Sequence, residues 1–310
     1  MEIGLVPKSE KDLEFAKAFK NKGVNVKVID RNFLFADFEE NFLGYFDRPA
    51  EFDKLMENFG EYEKNYRKYG VNLLDFDLIF LRCNEFLTEK DSFAKNVIEL
   101  VESEGVSVVN STNAVKLSKN KFLAYHYLRK NGIKIPKTFV SNDPVRAYFR
   151  MSEYKEKLVI KPIKGKGGVG IVITDDLSTA GDVMSLYGLT GKVPIAQEFI
   201  ENKRDMRIIV LGGEVLGGIY RIAKEGMRKN GISMGGEAKA FKVEGELAEI
   251  AIKSAETIGC EISGVDVIEG NGEFFVLEVN SSPSFKGFRR ATKIDAYDKI
   301  ADYLIRECKK

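Results

Sequence analysis

The 310-residue sequence has no tryptophan, one histidine and three cysteines. The single histidine, His126, excludes His-rich zinc sites and most Ser-His or Cys-His nucleophile systems. The cysteines Cys83, Cys260 and Cys308 are odd in number and widely spaced. They therefore form neither a disulfide framework nor a metal knuckle, which is typical of a protein in a reducing cytoplasm. An enzyme with this composition works with carboxylates, lysines, arginines, backbone amides and hard metal ions.

The sequence also lacks an excess of charge and a long apolar run. Its 48 Lys and Arg residues balance 47 Asp and Glu residues, so no overall basic field directs the chain to nucleic acid or to an anionic membrane. The longest apolar runs, such as residues 78–81, are far below the ~20 residues that cross a bilayer. The N-terminus lacks the basic and apolar segments of a signal peptide. We expect a cytoplasmic protein without nucleic-acid or membrane partners.

Enough apolar residues are present to build a folded core. Hydrophobic residues make up 44% and charged residues 31% of the chain, which excludes a disordered or low-complexity protein. At ~150 residues per domain, the length predicts roughly two domains, although one large or three small domains are also compatible with it.

Strands and helices alternate in the first third of the sequence. Short β-branched runs, typical of strands, occur at residues 3–6, 24–29, 76–81 and 106–109. Segments with the apolar spacing of helices lie between them, at residues 11–20, 50–69 and 92–102. This alternation favours a mostly parallel sheet. The Phe-rich stretch 32–46 is interpreted as a buried loop or sheet excursion rather than a ligand site.

The helix and strand signals indicate two domain boundaries. A helix is predicted over 118–131, closed by Gly132, and we place one boundary just before it. Pro194 leads into a strand at 195–200, where we place the second boundary. The chain is thereby divided into segments 1–117, 118–194 and 195–310.

A glycine-rich segment, GKGGVG at 165–170, follows the strand 158–161. It matches G-x-G-x-x-G, but a dinucleotide site requires a helix to follow, and here a β-branched run follows at 171–174. A strand–loop–strand arrangement instead lays backbone N–H groups over phosphates as a flap. Lys161 ends the preceding strand and can reach the same phosphates. A plain hairpin is the structural alternative.

Two acids and an amide flank a second glycine-rich turn. Asp266 lies six residues before Gly272 and Glu278 six residues after it, so a hairpin at 270–272 places the two carboxylates nearly opposite each other. Asn280 shares a strand face with Glu278. These hard oxygen donors suit Mg²⁺ or Mn²⁺. The alternative is that the acids pair with arginines for structure alone.

The glycine flap and the two acids belong to a longer series of short motifs along the chain. The motifs are SKNKF at 118–122, GIKIPKT at 132–138, VIKP at 159–162, the glycine flap, QEFIE at 197–201, GVDV at 264–267 and LEVNSSP at 277–283. This series resembles the ATP-grasp superfamily, and within it the RimK-type ligases. The resemblance implies an ATP-grasp fold, α/β and α+β, in three parts. They are an N-terminal parallel-sheet (pre-ATP-grasp) domain at 1–117, a central lid subdomain at 118–194 and a C-terminal subdomain at 195–310 that carries the metal ligands.

The resemblance also implies roles for individual residues. Lys121 and Lys161 hold the nucleotide phosphates, and Glu198 and Phe199 meet the adenine. The full set implied for ATP is Lys121, Lys161, Gly165, Lys166, Gly167, Gly168, Gly170, Gln197, Glu198, Phe199, Ile200, Asp205, Arg228 and Asn230. The set implied for Mg²⁺ or Mn²⁺, with two ions, is Asp266, Glu278 and Asn280. Arg207 and Arg221, with Lys161, are the implied catalytic groups, near the transferred phosphate and the substrate carboxylate.

The implied activity is that of an ADP-forming carboxylate–amine ligase that works through an acyl phosphate. Our first choice is the addition of L-glutamate to a glutamyl-tailed coenzyme or another small-molecule carboxylate. The same ligation on a protein or peptide carboxylate is one alternative, and a nucleotide-binding regulator without turnover is another. A dinucleotide-dependent oxidoreductase is disfavoured by the strand after Gly170. The sequence leaves the acceptor open, and it leaves a homo-oligomer open. After Asn230 it reads GISMGG, where RimK-like sequences usually have a basic, histidine-containing stretch.

Overall fold

The chain divides into two compact units. The computed structural model describes residues 1–37, 42–46, 70–82, 89–154, 157–165, 168–201, 205–222 and 237–309. One unit comprises Met1–Thr112 and Tyr297–Lys310, and the other comprises Asn113–Ala296. The predicted helix at 50–69 and Cys83 lie outside the described residues.

Strands and helices are numbered in chain order within the described residues. The strands are β1 (Glu2–Val6), β2 (Asn25–Val28), β3 (Leu34–Asp37), β4 (Phe42–Phe46), β5 (Gly70–Asn72), β6 (Leu78–Leu81), β7 (Ser107–Val109), β8 (Thr138–Val140), β9 (Leu158–Pro162), β10 (Val172–Thr174), β11 (Pro194–Glu198), β12 (Asp205–Leu211), β13 (Glu214–Ile222), β14 (Glu237–Phe241), β15 (Ile262–Gly270) and β16 (Glu273–Asn280). The helices are α1 (Leu13–Asn21), α2 (Glu89–Ser103), α3 (Thr112–Lys119), α4 (Lys121–Lys130), α5 (Pro144–Met151), α6 (Leu177–Leu189), α7 (Gly245–Ile258), α8 (Lys286–Thr292) and α9 (Ala296–Glu307).

The first unit contains the predicted parallel sheet. Its strand order is β2-β1-β6-β7, and each neighbouring pair is parallel. Strand β6 reads LIFL and is buried throughout, as expected for a strand covered on both faces. The β-branched runs in the sequence therefore predicted these strands correctly.

The Phe-rich stretch forms part of a second, antiparallel sheet. Strands β3, β4 and β5 pair in that order, and Phe35 stacks on Phe42 with ring centroids 5.3 Å apart. The described part of this stretch is therefore a sheet excursion, one of the two interpretations offered from the sequence.

The C-terminal helix α9 belongs to the first unit, whereas the sequence prediction assigned it to the segment 195–310. The ring of Phe15 on α1 lies against Tyr297 on α9, with centroids 4.8 Å apart. Lys22, just after α1, pairs with Asp298 and Asp302 at 2.7 and 2.8 Å. An aromatic contact and a cation held between two acids tie the two ends of the chain together, and no local sequence pattern shows this.

The second unit contains a four-stranded sheet that carries the glycine-rich segment. Its order is β10-β9-β11-β8, and α5 and α6 pack on it through Ala147, Met151, Ala180 and Met184. Strand β11 pairs antiparallel with both β9 and β8. Residues 195–198 therefore lie in this sheet, whereas the sequence analysis placed them beyond the second boundary. The three-part domain division itself stays a prediction.

The second unit also contains a five-stranded antiparallel sheet, ordered β14-β13-β12-β15-β16. Helices α4 and α7 cover it through a core that includes Leu128, Ala251, Val265 and Val276. The turn at Gly212-Gly213 joins β12 to β13, and Gly270-Asn271-Gly272 joins β15 to β16. Asn271 and Gly272 have φ values of +53° and +77°, which explains the turn residues there. The hairpin predicted at 270–272 is confirmed.

The helix predicted at 118–131 begins later, at Lys121, and residues 118–119 are the end of the preceding helix α3. Asn120 separates α3 from α4 because its backbone is extended (φ −110°, ψ 94°) and its side chain accepts a hydrogen bond from the N–H of Leu123. This is an N-cap, which starts a new helix rather than continuing the old one. Lys121 is thereby the first residue of α4.

No helix in the described part of the chain is both long and apolar enough to cross a membrane.

The packing of α8 on the five-stranded sheet yields a stability prediction. Phe288 of α8 is fully buried, and a Cβ added at Gly217 of β13 would lie 3.1 Å from its ring. We expect Phe288→Ala to lower the free energy of unfolding by about 3–5 kcal/mol, because it leaves a cavity in a core that cannot collapse fully. Phe149→Ala, at a ring that is 67% exposed, should cost about 0.5 kcal/mol or less. Urea unfolding followed by circular dichroism measures both, and equal losses would contradict the packing.

Candidate active site

The two carboxylates Asp266 and Glu278 lie directly opposite each other on β15 and β16. Pairing from the turn runs from Gly270 opposite Glu273 to Val267 opposite Val276, which would bring Leu277 opposite Asp266. A register shift between Asp266 and Val267 brings Glu278 there instead. Since a slip of one residue moves a side chain to the other face, this bulge sets Asp266 and Glu278 on one face. Bulges of this kind often re-aim side chains next to active sites.

Asp266 is held by two arginines. Its Oδ1 accepts from Arg207 Nε and its Oδ2 from Arg207 Nη2, both at 2.7 Å, and Arg221 Nη2 lies 2.9 Å from Oδ2. Burial acts to raise the pKa of Asp266, but Arg207 and Arg221 outweigh burial and hold that pKa below its ordinary value. Asp266 therefore stays ionised. The alternative interpretation from the sequence, in which the acids pair with arginines, therefore holds for Asp266.

Arg221 links Asp266 to a third acid, Asp205. Arg221 Nε lies 2.6 Å from Asp205 Oδ1, and the two residues are opposite each other on β13 and β12. Burial raises the pKa of Asp205, and the charge of Arg221 only partly offsets it. Two guanidinium groups and two carboxylates thus form one network across the middle of the five-stranded sheet.

Glu278 differs from Asp266 in its partners. Among the described residues, its half-buried carboxylate makes no hydrogen bond or ion pair. Its charge acts on Lys161, whose pKa it raises. Asn280, two residues along β16, accepts through Oδ1 from the N–H of Ser282 at 3.0 Å and from Lys119 Nζ at 3.4 Å.

Lys161 of β9 is buried among neutral partners. It is 7% exposed, and its Nζ donates to the hydroxyl of Tyr125 and to Gln197 Oε1, both at 2.8 Å. Burial lowers its pKa to about 8, although Glu278 acts in the opposite direction. The Tyr125 hydroxyl in turn donates to the carbonyl of Leu277 at 2.8 Å. One hydroxyl therefore connects the lysine to the strand that carries Glu278.

The glycine-rich segment connects β9 to the antiparallel strand β10. Its ends are fixed by side chains, because Lys121 Nζ donates to the carbonyl of Gly165 at 3.3 Å and the Tyr187 hydroxyl donates to that of Gly170. Gly168 and Gly170 have φ values of +73° and +77°, which favour glycine. A strand after the loop agrees with a flap and not with a dinucleotide-binding turn.

The last residue of β11 and the residues just after it are those expected at the adenine. The Glu198 carboxylate accepts from the N–H of Lys137 at 2.7 Å, and its other oxygen lies 3.4 Å from Lys137 Nζ. The N–H of Phe199 donates to the carbonyl of Lys157 at 2.8 Å. Ile200 lies against Gly270, where an added Cβ would clash with it.

Several predicted site residues lie outside the described part of the chain. They are Lys166, Gly167, Arg228 and Asn230, so their assignments stay predictions. The residues that the structure brings together are Lys161, Gln197, Glu278 and the Asp266 network. Sequence reasoning missed Tyr125, although it follows Lys121 by four residues and so shares its helix face.

The donor set suits a hard cation. No group of three or more His, Cys, Asp or Glu side chains that could hold a metal occurs in the described ranges. The predicted set consists of two carboxylates and one amide, and so it is not a group of that kind. Glu278, unpaired within the described chain and directly opposite Asp266, is the group here that most requires a positive partner. These residues fit Mg²⁺ or Mn²⁺.

Comparison with known proteins identifies the family. The model of the RimK-like ATP-grasp domain matches residues 118–304. The chain belongs to the RimK-like ATP-grasp family. It is an ATP-grasp ligase, an enzyme that forms carbon–nitrogen bonds.

Two relatives of this RimK-like chain are named "Probable alpha-L-glutamate ligase". The protein from Haemophilus influenzae is 26% identical over 290 residues, covering 93% of this chain and 91% of its own. The protein from Legionella pneumophila is 30% identical over 249 residues, covering 79% and 82%.

Solved structures share the ATP-grasp fold. The ATP-grasp ligase PsnB, complexed with a minimal precursor, superposes with a TM-score of 0.70 at 18% identity and covers 98% of this chain and 99% of its own. The RimK domain ATP-grasp protein from Sphaerobacter thermophilus superposes with a TM-score of 0.67 at 16% identity and covers 98% and 100%. PsnB has also been solved with Mg and ADP. The predicted ATP-grasp fold class is confirmed.

The buried ammonium of Lys161 yields a pH prediction. Because its pKa is lowered from 10.5 to about 8 on folding, the unfolded chain binds more protons between these values, and stability rises with pH across that window. Burying the charge lowers the free energy of unfolding by the full amount at pH values below the folded pKa. At pH values above the unfolded pKa this loss is absent. At about 1.4 kcal/mol per pKa unit it amounts to roughly 3 kcal/mol.

The experiment compares wild type with Lys161→Met by urea unfolding near pH 7 and again above pH 10. The unfolding free energy of wild type minus that of Lys161→Met should increase by roughly 3 kcal/mol as pH rises. Lys164→Met, at an exposed lysine three residues along, should show a much smaller change. A wild-type–Lys161→Met difference that is the same at both pH values would contradict the burial of a charged ammonium.

Proposed function

We propose that the protein is an ATP-dependent α-L-glutamate ligase acting on a carboxylate acceptor. An acceptor carboxylate oxygen attacks the γ-phosphorus of ATP, the bond to ADP breaks, and an acyl phosphate forms. The amino group of L-glutamate then attacks the acyl carbon, loses a proton and expels inorganic phosphate. The names of relatives that cover most of the chain support glutamate. The observation that carries the chemistry is the facing of Asp266 and Glu278 beside a buried Lys161.

Lys161 and the flap are the proposed phosphate-binding groups. Of the three protons on Lys161 Nζ, Tyr125 and Gln197 accept two, which leaves one donor for a phosphate oxygen. Lys121 already contacts the flap carbonyl of Gly165 and can exchange it for a phosphate. The other residues proposed for ATP are Lys166, Gly167, Gly168, Gly170, Gln197, Glu198, Phe199, Ile200, Asp205, Arg228 and Asn230.

Asp266, Glu278 and Asn280 are the proposed ligands of Mg²⁺ or Mn²⁺, with two ions. Bound there, the cation would neutralise negative charge on the phosphates. Arg207 and Arg221 keep Asp266 ionised and in place. Their remaining N–H groups can donate to the transferred phosphoryl group or to the oxyanion that forms when the amine attacks.

The proposed acceptor is a small molecule with a glutamyl tail. The alternative is a protein or peptide carboxylate, and two solved neighbours, PsnB and MdnC, were determined with precursor peptides. At 17% and 15% identity this similarity is evidence for a shared fold and not for a shared acceptor. The experiment below therefore includes both acceptor classes. A cytoplasmic location is part of the proposal, and the unpaired thiols of Cys260 and Cys308 support it.

Glu278→Gln tests the metal assignment. It keeps the shape of the side chain and removes its charge, so ADP formation should fall by at least about 100-fold, since metal stabilisation of the transition state is worth several kcal/mol. Calorimetric titration with Mn²⁺ and nucleotide should show weaker metal binding, while thermal unfolding stays close to wild type.

Glu269→Gln is the matched control. It removes an exposed carboxylate from the same hairpin and should leave ADP formation unchanged. Wild-type turnover and metal affinity in Glu278→Gln would refute the assignment.

The acceptor panel tests the reaction. With ATP, Mg²⁺ and L-glutamate, the wild-type protein should release ADP only when an acceptor is present, and product mass should rise by whole glutamyl residues. Small molecules with a glutamyl tail and peptides ending in glutamate form the two arms. Turnover with peptides alone would favour the alternative acceptor, and nucleotide binding without ADP release in either arm would indicate a regulator.

A further inference from the structure

Tyr125 lies where α4, β9 and β16 meet. It is 4% exposed, and its hydroxyl accepts from Lys161 Nζ and donates to the carbonyl of Leu277, each at 2.8 Å. Lys161 Nζ also lies 5.3 Å from the centroid of the Tyr125 ring. The hydroxyl therefore accepts one hydrogen bond and donates another, and both connect to the candidate active site.

We propose that Tyr125 is a positioning residue that fixes the Lys161 ammonium relative to the strand carrying Glu278 and Asn280. The proposal rests on the proposed function, in which Lys161 binds phosphate. Tyr125 does not touch the nucleotide itself in this role. It acts through the lysine on one side and through the backbone next to Glu278 on the other.

The first argument is one of hydrogen-bond capacity. An ammonium has three protons and rotates freely unless acceptors fix it. Tyr125 and Gln197 fix two of the protons of Lys161, so the direction of the third is determined. Gln197 is held in turn, because its Nε2 donates to Thr138 Oγ1 at 2.8 Å. Without the Tyr125 hydroxyl, one of the two acceptors is lost and the ammonium can turn.

The second argument concerns the distance between phosphate and metal groups. Lys161 is on the four-stranded sheet and Glu278 is on the five-stranded sheet, so their separation depends on contacts between the two sheets. The Tyr125 hydroxyl bridges them directly, from Lys161 Nζ to Leu277 O. Catalysis by positioning loses efficiency with displacements of about 1 Å, which makes such a bridge valuable.

The third argument is that the bridge persists at neutral pH. Burial raises the pKa of the Tyr125 hydroxyl above its ordinary value, so the hydroxyl stays protonated and keeps donating to Leu277. A neutral partner also leaves the positive charge of Lys161 available to the phosphates, whereas a carboxylate in its place would neutralise that charge.

The test is Tyr125→Phe, with ATP affinity measured by calorimetry in the presence of Mg²⁺. We expect Kd and KM for ATP to rise about tenfold, the scale of one hydrogen bond to a charged group, while KM for the amino acid stays unchanged. Tyr127→Phe, two residues along the same helix at a 39% exposed ring, is the matched control and should leave every constant unchanged. If Tyr125→Phe does not fold, Tyr125→Met replaces it.

A double-mutant cycle separates positioning from a merely structural role. In the Lys161→Met background, Tyr125→Phe should weaken ATP binding no further, because Tyr125 acts through the lysine. An equal effect of Tyr125→Phe in both backgrounds, or lowered stability with unchanged ATP affinity, would overturn the proposal. Unchanged ATP binding in Lys161→Met alone would instead refute the proposed function of Lys161, and is thus distinguishable from failure of Tyr125.

Discussion

The structure depends on the pairing of two like charges across one hairpin. Asp266 and Glu278 face each other on β15 and β16, an arrangement that destabilises a sheet unless positive groups compensate it. Arg207 and Arg221 compensate Asp266. Within the described residues no comparable partner reaches Glu278. The protein therefore neutralises one acid of the pair itself, and in the proposed function the other binds a cation that arrives with the nucleotide.

Much of the fold could be predicted because its signals are local. The β-branched runs marked the parallel strands, and the glycine-rich turn at 270–272 marked the hairpin of β15 and β16. The start of α4 was predicted at 118 instead of 121 because a single capping residue, Asn120, decides it. The docking of α9 on the first unit was missed because it depends on contacts such as that of Phe15 with Tyr297, which are distant in sequence.

The candidate site was predictable where spacing alone determines geometry. Counting from the turn indicated that Asp266 and Glu278 face each other, but regular pairing would have placed Leu277 opposite Asp266. The bulge beside Asp266 leaves Leu277 as an extra residue on β16 and so brings Glu278 opposite Asp266. No turn rule predicts this bulge. The partner of Lys161 could not be derived in this way. Tyr125 reaches the lysine only because α4 packs against both sheets of its unit, and a helical pattern shows which face is apolar but not what it meets.

Two charges of the candidate site, on Lys161 and Glu278, have no oppositely charged partner among the described residues. Lys161 is a buried cation among neutral acceptors, which lowers its pKa to about 8, and Glu278 is an acid opposite another acid. The described structure shows no ion pair between the two groups, and the ammonium donates instead to the Tyr125 hydroxyl and to Gln197. Proteins commonly tolerate such local instability at functional sites. In the proposed site, a triphosphate would satisfy the lysine and its divalent cation would satisfy the glutamate. A metal–nucleotide complex would then relieve both costs at once, which neither a free anion nor a free cation can do.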